Sequence, residues 1–142
     1  MKTMIKLFIF ILLIANLSKC EKVSMDKRYA VYLKNNAEHY IGAYFALGGE
    51  FATIYPDTTL PENQQYVITE IKSDARYIYD SGIEWEDIYL KLPKDTMSVY
   101  VFHTDTLKSN SWEDIRNNYK VLTRYDLCLD DLKGMNWTIT YP

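Results

Sequence analysis

The chain of 142 residues contains two histidines, and one of them stands in His103-Thr104-Asp105 at the end of a strand-like run. A histidine and an aspartate two apart on extended backbone point to the same side, so they could share a metal ion or a proton. His39 is the one other imidazole that could complete such a site. A polar strand end explains the same three residues with fewer assumptions. Glu84, Glu86 and Asp87 invite a second comparison, with the paired carboxylates of a glycosidase. Crowded within four residues at a helix start, they fit a solvated cap better. The sequence has no Gly-rich phosphate loop, no G-x-S-x-G elbow and no H-E-x-x-H motif. It therefore predicts a protein that is not an enzyme, with no catalytic residue, no metal ligand and no cofactor.

The cysteines carry a different chemistry. Met1–Lys6 is short and basic, and Leu7–Ala15 is an unbroken apolar run of nine residues. That is about half the ~20 residues of a membrane-spanning helix, but it suits the apolar region of a signal peptide. Leu17-Ser18-Lys19-Cys20 resembles the lipobox of bacterial lipoproteins, in which the cysteine is acylated and becomes the first mature residue. Lys19 departs from the pattern, since that position is normally Gly, Ala or Ser. The alternative is ordinary secretion, with cleavage near Ala15 or Ser18 and Cys20 left as a thiol. In that case a Cys20–Cys128 disulfide becomes available in an oxidising compartment. With Cys20 acylated, Cys128 has no partner and reads as a small buried apolar residue.

Composition bounds what remains. The chain is 48% hydrophobic and 15% aromatic, which excludes disorder and fits one ordinary core. Its formal charge is −3; removal of residues 1–19, with Lys2, Lys6 and Lys19, leaves thirteen basic against nineteen acidic residues, or −6. An acidic domain of this kind is a poor nucleic-acid binder, because phosphate contacts need a concentrated basic face. The compositional excess is tyrosine, with thirteen copies. Tyr40 with Tyr44, and Tyr77 with Tyr79, are spaced to share strand faces, and Tyr100 falls on another strand. These five are the candidate binding surface, since amphipathic rings suit recognition of sugars and proteins. The high β propensity of tyrosine is the competing explanation.

Elements that would hold these residues follow from turn signals. Strands are predicted at Tyr29–Lys34, His39–Leu47, Glu50–Tyr55, Tyr66–Lys72, Arg76–Tyr79, Thr96–His103, Lys120–Tyr125 and Trp137–Tyr141. Gly48-Gly49 reads as a hairpin turn between the second and third. Trp137, Ile139 and Tyr141 share a face predicted to be buried. Ser111 caps a predicted helix with Trp112, Ile115 and Tyr119 on one side, and Leu129–Met135 reads as a single-turn helix with a glycine stop. The tetrapeptide Trp85-Glu86-Asp87-Ile88 recurs as Trp112-Glu113-Asp114-Ile115, with Leu129-Asp130-Asp131-Leu132 as a looser third copy. Each precedes a strand-like run, so the sequence predicts three acid-capped helical turns, each leading into a strand. The expected organisation is a signal peptide over 1–19, a tether over 20–27 and one domain over 28–142. The expected fold is mainly β, an antiparallel β-sandwich-like domain with two or three short helices, and α+β is the alternative.

Tyr119–Leu127, Leu129–Leu132 and Met135–Pro142, together with Tyr55–Thr58 and Trp112, resemble small exported proteins of Bacteroides-type bacteria, many of them lipoproteins. The resemblance covers the last third of the chain and scattered points before it. It implies a Gram-negative envelope location and a compact domain, and it implies no activity. In that group the position of Cys128 is more often Thr, which speaks against a catalytic thiol. The resemblance also implies O-glycosylation at Asp-Thr pairs, here at Thr58, Thr96 and Thr106, although Asp-Thr pairs also simply favour turns. The expected function is thus that of an exported envelope lipoprotein, held to the membrane through Cys20, that binds or scaffolds a glycan or another envelope protein. The alternative is an immunity or inhibitor protein whose acidic surface meets a basic toxin or enzyme.

Overall fold

The computed structural model describes residues 29–48 and 53–142. The signal peptide, Cys20, the tether, Gly49 of the predicted hairpin turn and residues 50–52 of the predicted third strand lie outside the described residues. Among the described residues, seven strands form two sheets. Strands β1 (Ala30–Asn35), β4 (Arg76–Asp80) and β7 (Thr138–Tyr141) make a three-stranded sheet in the order β4-β1-β7. Strands β2 (Ile41–Ala46), β3 (Ile68–Ile71), β5 (Thr96–His103) and β6 (Thr123–Cys128) make a four-stranded sheet in the order β3-β2-β5-β6. Every pairing is antiparallel except that of β7, which runs parallel to β1. Four short helices complete the fold: α1 (Trp85–Tyr89), α2 (Thr104–Ser109), α3 (Trp112–Asn117) and α4 (Leu129–Gly134). The domain is mainly β with a few helices, as the sequence predicts.

Alternation of side chains explains where the core sits. Val31 and Leu33 of β1 face Ile41, Ala43 and Phe45 of β2 and Met97, Val99 and Val101 of β5, so the two sheets share one core. Trp85, Leu132 and Ile139 close its edges. The opposite parity of the four-stranded sheet is also buried. Tyr44, Tyr100 and Phe102 pack there against Leu107 of α2, Ile115 of α3 and the residues Leu60 and Val67 of the connecting loop. A sheet covered on both faces requires apolar residues at successive positions, and the run Met97–Phe102 supplies them. Gly42 makes the close approach of α2 feasible. A Cβ there would collide with Leu107 Cδ1 and lie 2.7 Å from the Ile68 carbonyl oxygen, at the point where the β2–β3 register shifts.

Two expectations are corrected. Thr53–Tyr55, the described part of the predicted third strand, is loop, because both edges of β2 are already taken by β3 and β5. The predicted strand end at Thr104-Asp105 is instead the start of α2, an additional helix. The three acid-capped turns do appear, as α1, α3 and α4, and β5, β6 and β7 follow them in turn. Among the described residues, no helix is long and apolar enough to cross a membrane.

Candidate functional site

The structure brings the two histidines together. Ile41 pairs with His103 in the sheet, so the turn before β2 lays the His39 ring on that of His103, with centroids 4.6 Å apart and planes within 11°. Tyr141, at the end of β7, meets His39 edge-on. The arrangement serves the backbone. His103 Nδ1 accepts the Asp105 N–H at 3.2 Å and caps α2, while Asp105 Oδ2 lies 3.8 Å from the same nitrogen with its side chain in solvent. With Nδ1 spent as an acceptor, His103-Thr104-Asp105 is a helix cap. His39 Nε2 is screened from solvent without a hydrogen bond. Among the described residues no three His, Cys, Asp or Glu side chains are placed to hold a metal ion.

The five tyrosines of the candidate surface do not form one. Tyr44 and Tyr100 are 2% and 0% exposed and stack on each other at 5.8 Å beneath the loop that follows β2. Tyr44 Oη accepts the Thr53 N–H at 3.0 Å, and Tyr100 Oη donates to the Asp57 carbonyl at 3.3 Å. The pair thus fastens the loop to the sheet, with the Arg124 guanidinium 5.4 Å from the Tyr100 ring. Burial pushes the Tyr100 hydroxyl up to about 12. Tyr77 and Tyr79 are half-buried against Phe45 between the sheets. Tyr40 alone of the five is exposed. Tyr77 and Tyr79 share a face of β4, whereas Tyr40 lies just outside β2; period-two spacing could not show that helices and a loop cover the face that carries Tyr44 and Tyr100. As for the Asp-Thr sites, Thr58 is exposed in the loop, Thr96 opens β5 with its hydroxyl donating to the Lys94 carbonyl, and Thr106 is half-buried in α2.

A groove lies at the other end of β5. Thr96 pairs with Cys128, so α1, the 3-10 turn Pro93–Asp95 and the junction of β6 with α4 meet around an open hollow of about 530 Å³. Tyr89, Leu90 and Leu129 give it apolar walls. Glu86, Asp95 and Asp130 are the carboxylates of its lining and Lys94 the cation, with Lys133 paired to Glu86 from outside the lining. The volume falls within the ~300–1,000 Å³ typical of ligand sites. Glu86 Oε1 reaches Lys133 Nζ at 3.2 Å and ties α1 to α4, while Glu86 Oε2 is buried without a hydrogen bond. Lys94 and Asp95 both hold positive φ, 53° and 47°, an uncommon conformation for residues with a side chain. Tyr89 is buried, which raises its hydroxyl pKa, and it donates to the Leu127 carbonyl at 3.0 Å.

Cys128 is a free, half-buried thiol on the groove wall rather than a buried core residue. It stands at the N-cap of α4, where Asp131 Oδ2 accepts the Cys128 N–H at 2.8 Å. Hydrogen bonds from the thiol and then the backbone of Cys128 hold the Asp131 carboxyl below its ordinary range. The thiol has no imidazole beside it. Both histidines sit at the far end of β5, whose last residue is His103, about 23 Å from Thr96 at ~3.3 Å per residue. No sequence pattern marked this groove, because its walls come from segments spread over residues 86–130. Comparisons of the chain with protein families, with curated proteins and with solved structures find no match.

Proposed function

We propose that this chain is an exported, lipid-anchored envelope domain that acts by binding, and that it binds in the groove between α1 and α4. The observation that carries the reading is the groove itself: apolar walls of Leu90 and Leu129 under a rim of three carboxylates and one lysine. Such a site suits a peptide segment of another envelope protein, with an apolar side chain between the leucines and a basic residue at the rim. Two leucines beside a buried tyrosine present little of the flat aromatic surface on which sugars stack, so a protein partner fits better than a glycan. The leader and Leu17-Ser18-Lys19-Cys20 support export and anchoring. An immunity or inhibitor protein is the second reading, favoured by the same acidic rim and by the charge of −6 beyond residue 19.

The test is a nuclear magnetic resonance titration with two panels, short basic-apolar peptides and neutral oligosaccharides. Shifts on Leu90, Cys128 and Leu129 with peptides are expected, and Asp130→Lys, a change at an exposed position, should weaken them about tenfold. Shifts from sugars alone, or peptide shifts elsewhere on the domain, would overturn the assignment. Mass spectrometry of the mature N-terminus checks the anchor, which requires an acylated Cys20.

A further inference from the structure

We infer that the end of the domain through which the chain enters β1 lies against the bilayer, with Ile83 and Leu90 inserted among the lipid headgroups. The inference rests on the lipid anchor proposed above. Tyr29 precedes β1, and its carbonyl oxygen accepts both the N–H and the hydroxyl of Ser81, at 2.8 and 2.9 Å. The Ser81 hydroxyl oxygen is also 2.5 Å from the Ile83 carbonyl, and its one proton serves either carbonyl in turn while the Ser81 N–H holds Tyr29. The point of entry is therefore fastened to the turn that carries Ile83. From Ile83 a shallow hollow of about 230 Å³ runs along Ile88, Lys91 and Leu92, and Leu90, just past the end of α1, stands at the lip of the groove between α1 and α4.

Exposure sets this end apart. Leu90 is 80% exposed, more than any other large apolar residue described, and Ile83 and Tyr29 are 47% and 41% exposed. Apolar side chains scattered singly need no explanation, but Tyr29 and Ile83 meet at Ser81 and Leu90 ends the helix that follows, so the three fall in one short stretch of structure beside the entry point. Chain length then names the occupant. Eight residues separate Cys20 from Tyr29, and the nine steps between them, fully extended, span at most about 32 Å. An acylated Cys20 would thus keep Tyr29, and the patch beside it, within that distance of the lipid surface. At such a range a contact too weak to hold a free protein becomes populated. Asp80, Glu84 and Asp87 lie by Ile83, and Lys91 and Lys94 flank Leu90, so the charges do not favour an anionic surface. The contact is apolar, of the depth reached by interfacial side chains. The groove between α1 and α4 would then open at the boundary between lipid and water, with Leu90 at its lipid-side lip and Tyr89 and Leu129 left to a bound peptide.

The experiment places tryptophan at Ile83, at Leu90 or at Tyr40, an exposed position at the opposite end, in the acylated full chain. Each variant is reconstituted in phosphatidylcholine vesicles with brominated acyl chains. Quenching by about half is expected at positions 83 and 90, and little at position 40. Raising the salt concentration should leave the quenching unchanged, because apolar contacts are not screened. A chain shown by mass spectrometry to be acylated, yet equally unquenched at all three positions, overturns the apposition and leaves the anchor standing. An unacylated Cys20 overturns both. Thermal unfolding of each variant confirms that the substituted domain is folded.

Discussion

Trp85-Glu86-Asp87-Ile88 and Trp112-Glu113-Asp114-Ile115 are identical in sequence and both open a short helix, yet they bury opposite ends. In α1 the tryptophan is fully buried between the sheets, against Tyr79 and Tyr89, and Ile88 is half-buried. In α3 the isoleucine is fully buried and the tryptophan is half-exposed, edge-on to Phe102. The indoles differ in the same sense. Trp112 Nε1 donates to the Pro61 carbonyl at 2.8 Å, whereas Trp85 Nε1 is buried without a hydrogen bond. Four residues specify a helical turn, because two acids near its positive end and an apolar pair three apart favour one. They do not specify which corner turns inward. That depends on whether the turn plugs the end of the inter-sheet core, as α1 does, or lies flat on the outer face of the four-stranded sheet, as α3 does.

The contrast can be broken by paired substitutions. Trp85→Ala should cost about 3–5 kcal/mol and Trp112→Ala clearly less, because only the first empties a closed site. Urea denaturation of both measures the difference, and equal losses would erase the distinction. The order should reverse at the isoleucines: Ile115→Ala should cost about 2–4 kcal/mol and Ile88→Ala about half as much. The caps sharpen the comparison further. The Ser111 hydroxyl accepts the Asp114 N–H at 3.2 Å, so Ser111→Ala should cost about 1 kcal/mol, read from the same denaturation midpoints.

The smallest effect is one of pH. Lys120 Nζ lies 2.5 Å from Asp114 Oδ2, and its hydrogen bond, with a further one from Asn118, holds the Asp114 carboxyl below its ordinary value. A carboxyl depressed in the folded state contributes stability above the ordinary carboxylate range and loses it as pH falls through the lower, folded-state value. Asp114→Asn should therefore flatten part of the acid limb of the stability curve. An unchanged acid limb would show the pair to be fully screened.

Legibility followed how local each cause was. The alternation of Trp137, Ile139 and Tyr141 identified the buried face of β7, and the acid-led turns gave α1, α3 and α4. The start of α2 escaped notice because its cap is a histidine, which is not among the usual N-cap residues. The described end of the predicted third strand, Thr53–Tyr55, is loop for a non-local reason: β2 already has two partners. The tyrosines misled for a related one, since alternation reveals which side chains share a face and not what lies over it. A sharper clue was available in Met97–Phe102, apolar on both parities but for Ser98, as a doubly covered strand must be. The groove left no such clue, being made where the ends of distant elements meet.

The parallel placement of β7 also fixes an order of assembly. β1 can take β4 on one edge as soon as residue 80 is available, but its other edge is filled by residues about a hundred positions further along the chain. Until β7 docks, that edge of β1 offers a row of unsatisfied backbone donors and acceptors, the template on which strands from other molecules mispair. The four residues of β7 act as a latch on the nascent domain. Until they arrive, the three-stranded sheet is an open hairpin, and its safety rests on how quickly the rest of the chain follows.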